Sequence, residues 1–245
     1  MLNKGFSIGE VLGFSWNKTK QHWLFLVSYW ILTLLISFGG SFLFFQLTAG
    51  YDNPVVSVLG QIANSVISMV LTLGWIQSAL NVVDGVRPQW SNLVDNWSLV
   101  PKYLVALVLY FVIFIVGTLL FVIPGIIWII SSSFFAYYIL EKNLGPIKAL
   151  KASCAMTKGA KWDIAGLGLT GMCAVYFVWF LIVALIAAIY MAFGSSLDNP
   201  EVVPVGFYVL FALSSFIILS FVIPMVSIAM AYIYRKLDKA TLGVE

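Results

Sequence analysis

The chain has 245 residues, of which 62% are hydrophobic and only 9% are charged, with a formal net charge of +3. A water-soluble domain of this length needs a polar surface that so few charged side chains cannot supply, and the mean hydropathy is +1.01. Composition therefore excludes a soluble globular protein and predicts an integral membrane protein.

Six apolar runs separated by short polar segments predict an all-α fold with six transmembrane helices in three hairpins. A helix needs about 20 residues to cross the hydrocarbon layer. The predicted spans cover residues 23–47, 55–83, 103–123, 126–140, 164–193 and 205–234, in one domain over residues 1–245. The first residues lack the features of a signal peptide, so we expect the first run to stay in the mature protein.

Short segments with helical spacing precede each hairpin, at residues 7–22, 90–100 and 146–160. In the first, Ser7 and Glu10 have the spacing of a capping box. We predict helices at the membrane surface for the first two. The third is rich in small residues, so we expect it to pack mainly against protein.

The middle hairpin turns at Pro124 and Gly125, which we predict to form a structural corner. No charged residue occurs between Lys102 and Glu141, a stretch barely long enough for two crossings. A re-entrant hairpin that does not fully cross is the alternative. Both interpretations put Lys102 and Glu141 on the same side.

With six spans, all the lysines and arginines fall on one side of the membrane, and Asp52, Asp198 and Glu201 fall on the other. The cations are Lys4, Lys18, Lys20, Arg87, Lys102, Lys142, Lys148, Lys151, Lys158, Lys161, Arg235, Lys236 and Lys239. Because positive charge accumulates in cytoplasmic loops, we predict a prokaryotic plasma membrane protein with both termini in the cytoplasm.

A group of lysines in and just after the 146–160 segment is the candidate binding surface. Such lysines can attract anionic lipid headgroups, although they can equally serve only to set topology. The residues predicted to contact lipid headgroups or a partner are Lys148, Lys151, Lys158, Lys161 and Trp162. Membrane lipids are the expected partners, with a membrane protein or a second copy of the chain as further candidates.

Residues for catalysis, metal binding or cofactor binding are not apparent. The one histidine, His22, lies at the first membrane entry, where an interfacial role is favoured. Neither a metal-binding spacing, a phosphate loop nor a catalytic triad can be assembled, and there is no soluble basic domain to bind nucleic acid. We therefore expect no enzyme activity, no cofactor and no nucleic-acid partner.

Transport is the alternative function, because a few polar residues lie within the predicted spans. Such residues can line a path for solute, but hydrogen bonding between helices and to the preceding helical turn explains them as well. They are Gln61, Asn64, Gln77, Ser131, Ser132 and Ser133. Ion-coupled carriers usually keep ionisable groups inside the membrane, and these spans have none beyond their ends.

The motifs PGIIW, AYYILEKNLGPIKALKAS and TKGAKW resemble a prokaryotic family of six-span membrane proteins related to the membrane domain of glycerophosphoryl diester phosphodiesterases. The matching residues are Pro124, Gly125, Ala149, Leu150, Ser153, Lys158, Gly159 and Trp162. The resemblance implies a multi-pass membrane protein of unassigned activity. It does not imply phosphodiesterase activity, which belongs to a soluble catalytic domain. We expect a non-enzymatic role in membrane organisation, with a small solute permease or channel as the alternative.

Overall fold

The computed structural model describes residues 6–48, 54–120, 122–193 and 202–242, and nearly all of them are helical. The helices are α1 (Ile8–Thr48), α2 (Pro54–Val83), α3 (Val100–Leu120), α4 (Val122–Ser132), α5 (Phe135–Lys142), α6 (Pro146–Met156), α7 (Lys161–Phe193) and α8 (Val202–Leu242). No strand occurs within these ranges. The all-α class is therefore confirmed.

Five helical segments in the described ranges are long and apolar enough to cross a membrane. They are Ile8–Phe44, Val55–Val83, Trp90–Leu119, Lys161–Ala188 and Gly206–Thr241. A polytopic membrane protein accounts for this number of long apolar helices, since each exceeds the roughly 20 residues needed for a crossing.

The continuous helix predicted over residues 126–140 is wrong. The chain forms instead the 11 residues of α4 and the 8 residues of α5, with a non-helical junction at Ser133 and Phe134. At a rise of about 1.5 Å per residue, neither helix alone approaches the roughly 30 Å of the hydrocarbon layer. Phe134 has backbone angles of −101° and 8°, outside the helical range.

Helix α6 supplies the hydrogen bonds that the junction between α4 and α5 lacks. The Phe134 N–H donates to Ser153 Oγ over 3.1 Å, and Ser153 Oγ donates to the Ser131 carbonyl over 2.9 Å. Thr157 Oγ1 donates to the same carbonyl over 3.1 Å. Ser153 and Thr157 are fully buried. The interruption therefore depends on a tertiary contact with residues about 20 positions further along the chain.

Pro124 and Gly125, which we predict to form a corner, are helical in the structure. Helix α3 ends at Leu120 and α4 begins at Val122, so both residues belong to the first turn of α4. A Cβ atom on Gly125 would lie 3.1 Å from the Thr118 backbone. Gly125 therefore lets α3 and α4 approach closely, and Pro124 occupies a helix start, where its missing N–H breaks no helical hydrogen bond.

Helix α1 contains a kink where we separated the 7–22 segment from the first span. His22 has backbone angles of −114° and 16°, whereas the helix continues on both sides. The earlier segment buries Phe6 and Val11 in the main hydrophobic core. The chain therefore changes direction at His22, between two helical parts of α1, at the start of the long apolar run.

The helix predicted over residues 90–100 is replaced by two 3₁₀ turns, Trp90–Leu93 and Trp97–Leu99. The first turn packs closely on α2: a Cβ on Gly74 would lie 2.9 Å from Leu93 Cα and would clash with the Asn92 carbonyl. The segment therefore contacts the α2 backbone closely and does not form the amphipathic surface helix that the sequence predicts.

The hydrophobic core occupies only one half of the described helices. It contains the second half of α2, the first turns of α3 and α7, much of α5 and α6, and the last turns of α8. At the other half, large apolar side chains are exposed, including Phe38, Leu59, Leu119, Phe180 and Tyr208. Protein therefore packs around one half of the helices, whereas the apolar surface of the other half suits contact with lipid.

We expect Ser153→Ala to lower the free energy of unfolding by about 1–3 kcal/mol, because the buried Phe134 N–H would lose its acceptor. Thermal or denaturant unfolding of the purified protein in detergent measures this change.

Ser133→Ala is the matched control, since the Ser133 hydroxyl donates to the Ile130 carbonyl of the preceding turn. We expect a loss below about 0.5 kcal/mol. Equal losses in the two variants would contradict a special role for Ser153.

Candidate functional site: the charged end of the helices

Arg235 joins three helices at the end of the bundle where the core is packed. Its Nε and Nη2 atoms donate to the two Asp84 carboxylate oxygens over 2.9 and 2.5 Å. Its Nη1 atom donates to Glu141 over 2.8 Å. Asp84 follows the end of α2, Glu141 lies in the last turn of α5, and Arg235 is in α8. One planar guanidinium therefore holds carboxylates from two other elements.

Two further ion pairs lie on α8 beside Arg235. Lys142 Nζ is 2.6 Å from Asp238 Oδ1, and the Tyr138 hydroxyl donates to the same oxygen over 3.2 Å. Lys236 Nζ donates to both Glu10 oxygens over 2.9 and 3.0 Å. These pairs attach the last turns of α8 to α5 and to the start of α1.

Lys102 connects the start of α3 to the same end of the helix bundle. Its Nζ donates to Asn143 Oδ1 over 2.6 Å, just after α5. Asn143 ends α5 in the left-handed region at φ 50°, a conformation that asparagine tolerates better than most residues. The starts of α1 and α3 and the ends of α2, α5 and α8 therefore meet at one end.

The predicted lysine surface lies on the exposed side of α6 and the turn that follows. Lys148, Lys151 and Lys158 are exposed, Lys161 is half-buried, and Trp162 is 82% exposed. Ala149, Leu150, Ser153 and Met156 form the opposite, buried side of α6. Within the described ranges none of the four lysines has a hydrogen bond or an ion pair, in contrast to Lys102, Lys142, Arg235 and Lys236.

The polar residues considered for a solute path bond mostly within or between helices. Asn64 Nδ2 donates to Ser41 Oγ over 2.9 Å, which joins α2 to α1. Gln77 donates to Asn81 one turn later in α2. The hydroxyls of Ser131 and Ser132 each donate to a carbonyl four residues earlier, over 2.6 Å. Gln61 is exposed on the surface of α2.

The reactive side chains are dispersed. His22 lies at the α1 kink, close enough to Lys18 and Arg87 to sense their charges. Burial raises the pKa of the Cys154 thiol despite the opposing effect of Lys161, so little nucleophilic thiolate forms at neutral pH. Among the described residues, no group of three or more His, Cys, Asp and Glu side chains is arranged to hold a metal ion.

The sequence does not predict that Arg235 pairs with both Asp84 and Glu141. The available signal was positional: Asp84 directly follows the second predicted span, Glu141 follows the charge-free stretch, and Arg235 follows the sixth predicted span. Opposite charges at the ends of three spans on one predicted side are candidates for pairing. Sequence spacing alone does not say which ends are neighbours.

Neither a family model, a curated protein nor a solved structure matches this chain.

We expect Arg235→Lys to lower the free energy of unfolding by about 1–2 kcal/mol, because one ammonium cannot form paired hydrogen bonds with both Asp84 and Glu141. The loss stays moderate because the Arg235 side chain is 27% exposed and solvent weakens such pairs. Thermal unfolding in detergent provides the measurement.

Arg87→Lys makes the same chemical change at an exposed arginine that has no hydrogen bond or ion pair within the described part of the chain. It should change stability by less than about 0.5 kcal/mol. If Arg235→Lys is equally harmless, the guanidinium does not hold the three helices together.

Proposed function

We propose that the chain is a non-enzymatic, multi-pass membrane protein that interacts with anionic lipid and contributes to membrane organisation. The observation that supports this function is the contrast among its cations. Lys102, Lys142, Arg235 and Lys236 have partners within the protein. The four lysines at 148, 151, 158 and 161 have none in the described ranges, and so remain available to an external anion.

The surroundings of these lysines favour a lipid surface as that anion. Helix α6 buries its small residues against α3, α4 and α5, which holds Lys148 and Lys151 on the outer side. The indole of Trp162 is exposed nearby, and tryptophan is enriched where headgroups meet hydrocarbon. Each lysine near an anionic surface contributes about 1 kcal/mol of attraction.

We further propose six crossings of a prokaryotic plasma membrane, with both termini in the cytoplasm. The fourth crossing would be made jointly by α4 and α5. The contact between Lys102 and Asn143 joins the start of α3 to the end of α5, an arrangement that a full crossing requires and that a re-entrant hairpin shares. A half-helix pair of this kind is tolerated at membrane depth because protein encloses its junction.

A fluorescent protein fused after Glu245 tests the orientation, since such a reporter folds efficiently in the cytoplasm but poorly when exported. We expect fluorescence from this fusion. Alkaline phosphatase in the same position should be inactive, and alkaline phosphatase inserted after Asp198 should be active. Active phosphatase after Glu245 would show that the proposed orientation is inverted.

Replacing Lys148, Lys151, Lys158 and Lys161 together with glutamine should reduce the anionic lipid retained by the protein at least tenfold, because about 1 kcal/mol per lysine, or about 4 kcal/mol for the four, is lost. Mass spectrometry of lipids that remain with the detergent-purified protein measures this amount. The matched control replaces the same four lysines with arginine, which keeps the charge and should keep the lipid.

Equal lipid retention in the glutamine and arginine variants would contradict a lipid-binding role. Solute flux into proteoliposomes that disappears with Asn64→Ala would favour a permease or channel instead. Loss of a co-purifying membrane protein in the glutamine variant, with lipid unchanged, would favour a protein partner.

A further inference from the structure

A half-open cleft of about 460 Å³ lies between α1 and α8, beside the end of α2. Phe14, Val83 and Tyr232 supply apolar walls, Lys236 and Lys239 supply positive charge, and Asp84 and Arg235 line the cleft as a pair of opposite charge. The volume is within the range of about 300–1,000 Å³ that is common for small-molecule sites. We propose that this cleft binds the phosphate group of an anionic phospholipid headgroup. The site shares no residue with the α6 lysine surface.

Lys239 is the charge in the cleft that is available to a ligand. Both edges of the Arg235 guanidinium are occupied by Asp84 and Glu141. Lys236 is held by Glu10. Lys239 is exposed, and the described part of the chain gives it neither a hydrogen bond nor an ion pair. A phosphate that approaches Lys239 therefore displaces no carboxylate.

Additional positive charge lies beside the cleft on α1 and on the segment after α2. Lys18 Nζ is 5.8 Å from the centre of the Phe14 ring. Arg87 follows the cleft residue Asp84 by three positions, and Arg87 and Lys18 both influence His22, one turn beyond Lys18. Neither cation has an acidic partner within the described ranges. The local excess of positive charge attracts an anion toward the open side of the cleft.

The apolar walls favour a lipid over a free phosphate ester. The rings of Phe14 and Tyr232 stack with centroids 4.4 Å apart and supply the aromatic part of the lining. Val83 is the last residue of a long apolar helix, so the cleft lies where such a helix gives way to charged residues. A phospholipid presents its phosphate where apolar helices give way to charged residues, so the phosphate can contact Lys239. Its backbone glycerol and first methylene groups lie beside the phosphate and can contact Phe14.

Photocrosslinking tests this site in the full-length protein. The probe is phosphatidylglycerol with a diazirine on one acyl chain close to its ester group, incorporated into nanodiscs that otherwise contain phosphatidylcholine. We expect adducts on the peptides that contain Phe14 and Val83. Lys239→Gln should reduce these adducts at least several-fold, whereas Lys239→Arg should retain them. Lys239 is exposed and unpartnered, so unfolding midpoints should be unchanged.

Lys151→Gln is the matched control from the other surface and should leave the adducts at the cleft intact. Absence of adducts at the cleft in the unaltered protein, or adducts that persist in Lys239→Gln, would overturn the proposal. Loss of the adducts on addition of soluble glycerol phosphate would identify a free phosphate ester as the ligand and overturn the lipid assignment. Because the variants alter the cleft and the α6 lysine surface separately, either proposal can be contradicted while the other holds.

Discussion

The hydroxyl of Ser153 is the contact on which the middle of the protein depends. No water reaches a freed backbone group that is buried in protein, so an interrupted helix persists only where other protein groups satisfy it. Ser153 accepts from the Phe134 N–H and donates to the Ser131 carbonyl. Because Ser153 also lies on the buried side of α6, its hydrogen bonds to the junction fix the rotation of α6 about its own axis. That rotation leaves Lys148 and Lys151 outside.

Packing concentrates at the charged end because apolar helices gain little from one another in lipid. Their association there relies on close contact, hydrogen bonds and ion pairs rather than on the removal of apolar surface from water. Arg235 connects α8 with Asp84 and Glu141, and the core lies beneath these pairs. At the opposite half, Asn64 donates to Ser41 Oγ and to the Ser37 carbonyl of α1, and Trp179 of α7 donates to Ser215 of α8. The described helices are therefore joined most firmly where they leave the apolar region.

Hydropathy predicts the individual long helices better than it predicts their interruptions. The run at 55–83 corresponds to α2 at Pro54–Val83, because a charge-free stretch bounded by polar residues defines both ends. The serines at 131–133 lower the local hydropathy at the break but do not predict an interruption, since Ser153 on another helix supplies the hydrogen bonds that allow it. Likewise, Gly125 signalled a turn, but its role is close contact with Thr118. The lysine surface could be predicted from local sequence, whereas the cleft requires α1, α2 and α8 together.

The two cationic surfaces differ in how much they can discriminate among anionic lipids. The α6 lysines are on an open surface, so their attraction follows the summed membrane charge and weakens as salt shortens the Debye length. The cleft combines Lys239 with the stacked rings of Phe14 and Tyr232, and therefore adds a requirement of shape. Charge on an open surface attracts lipids of one sign, while a charge beside an apolar cleft also selects among them by shape. In the proposed arrangement α6 enriches anionic lipid around the protein, and the cleft retains a single molecule from that population.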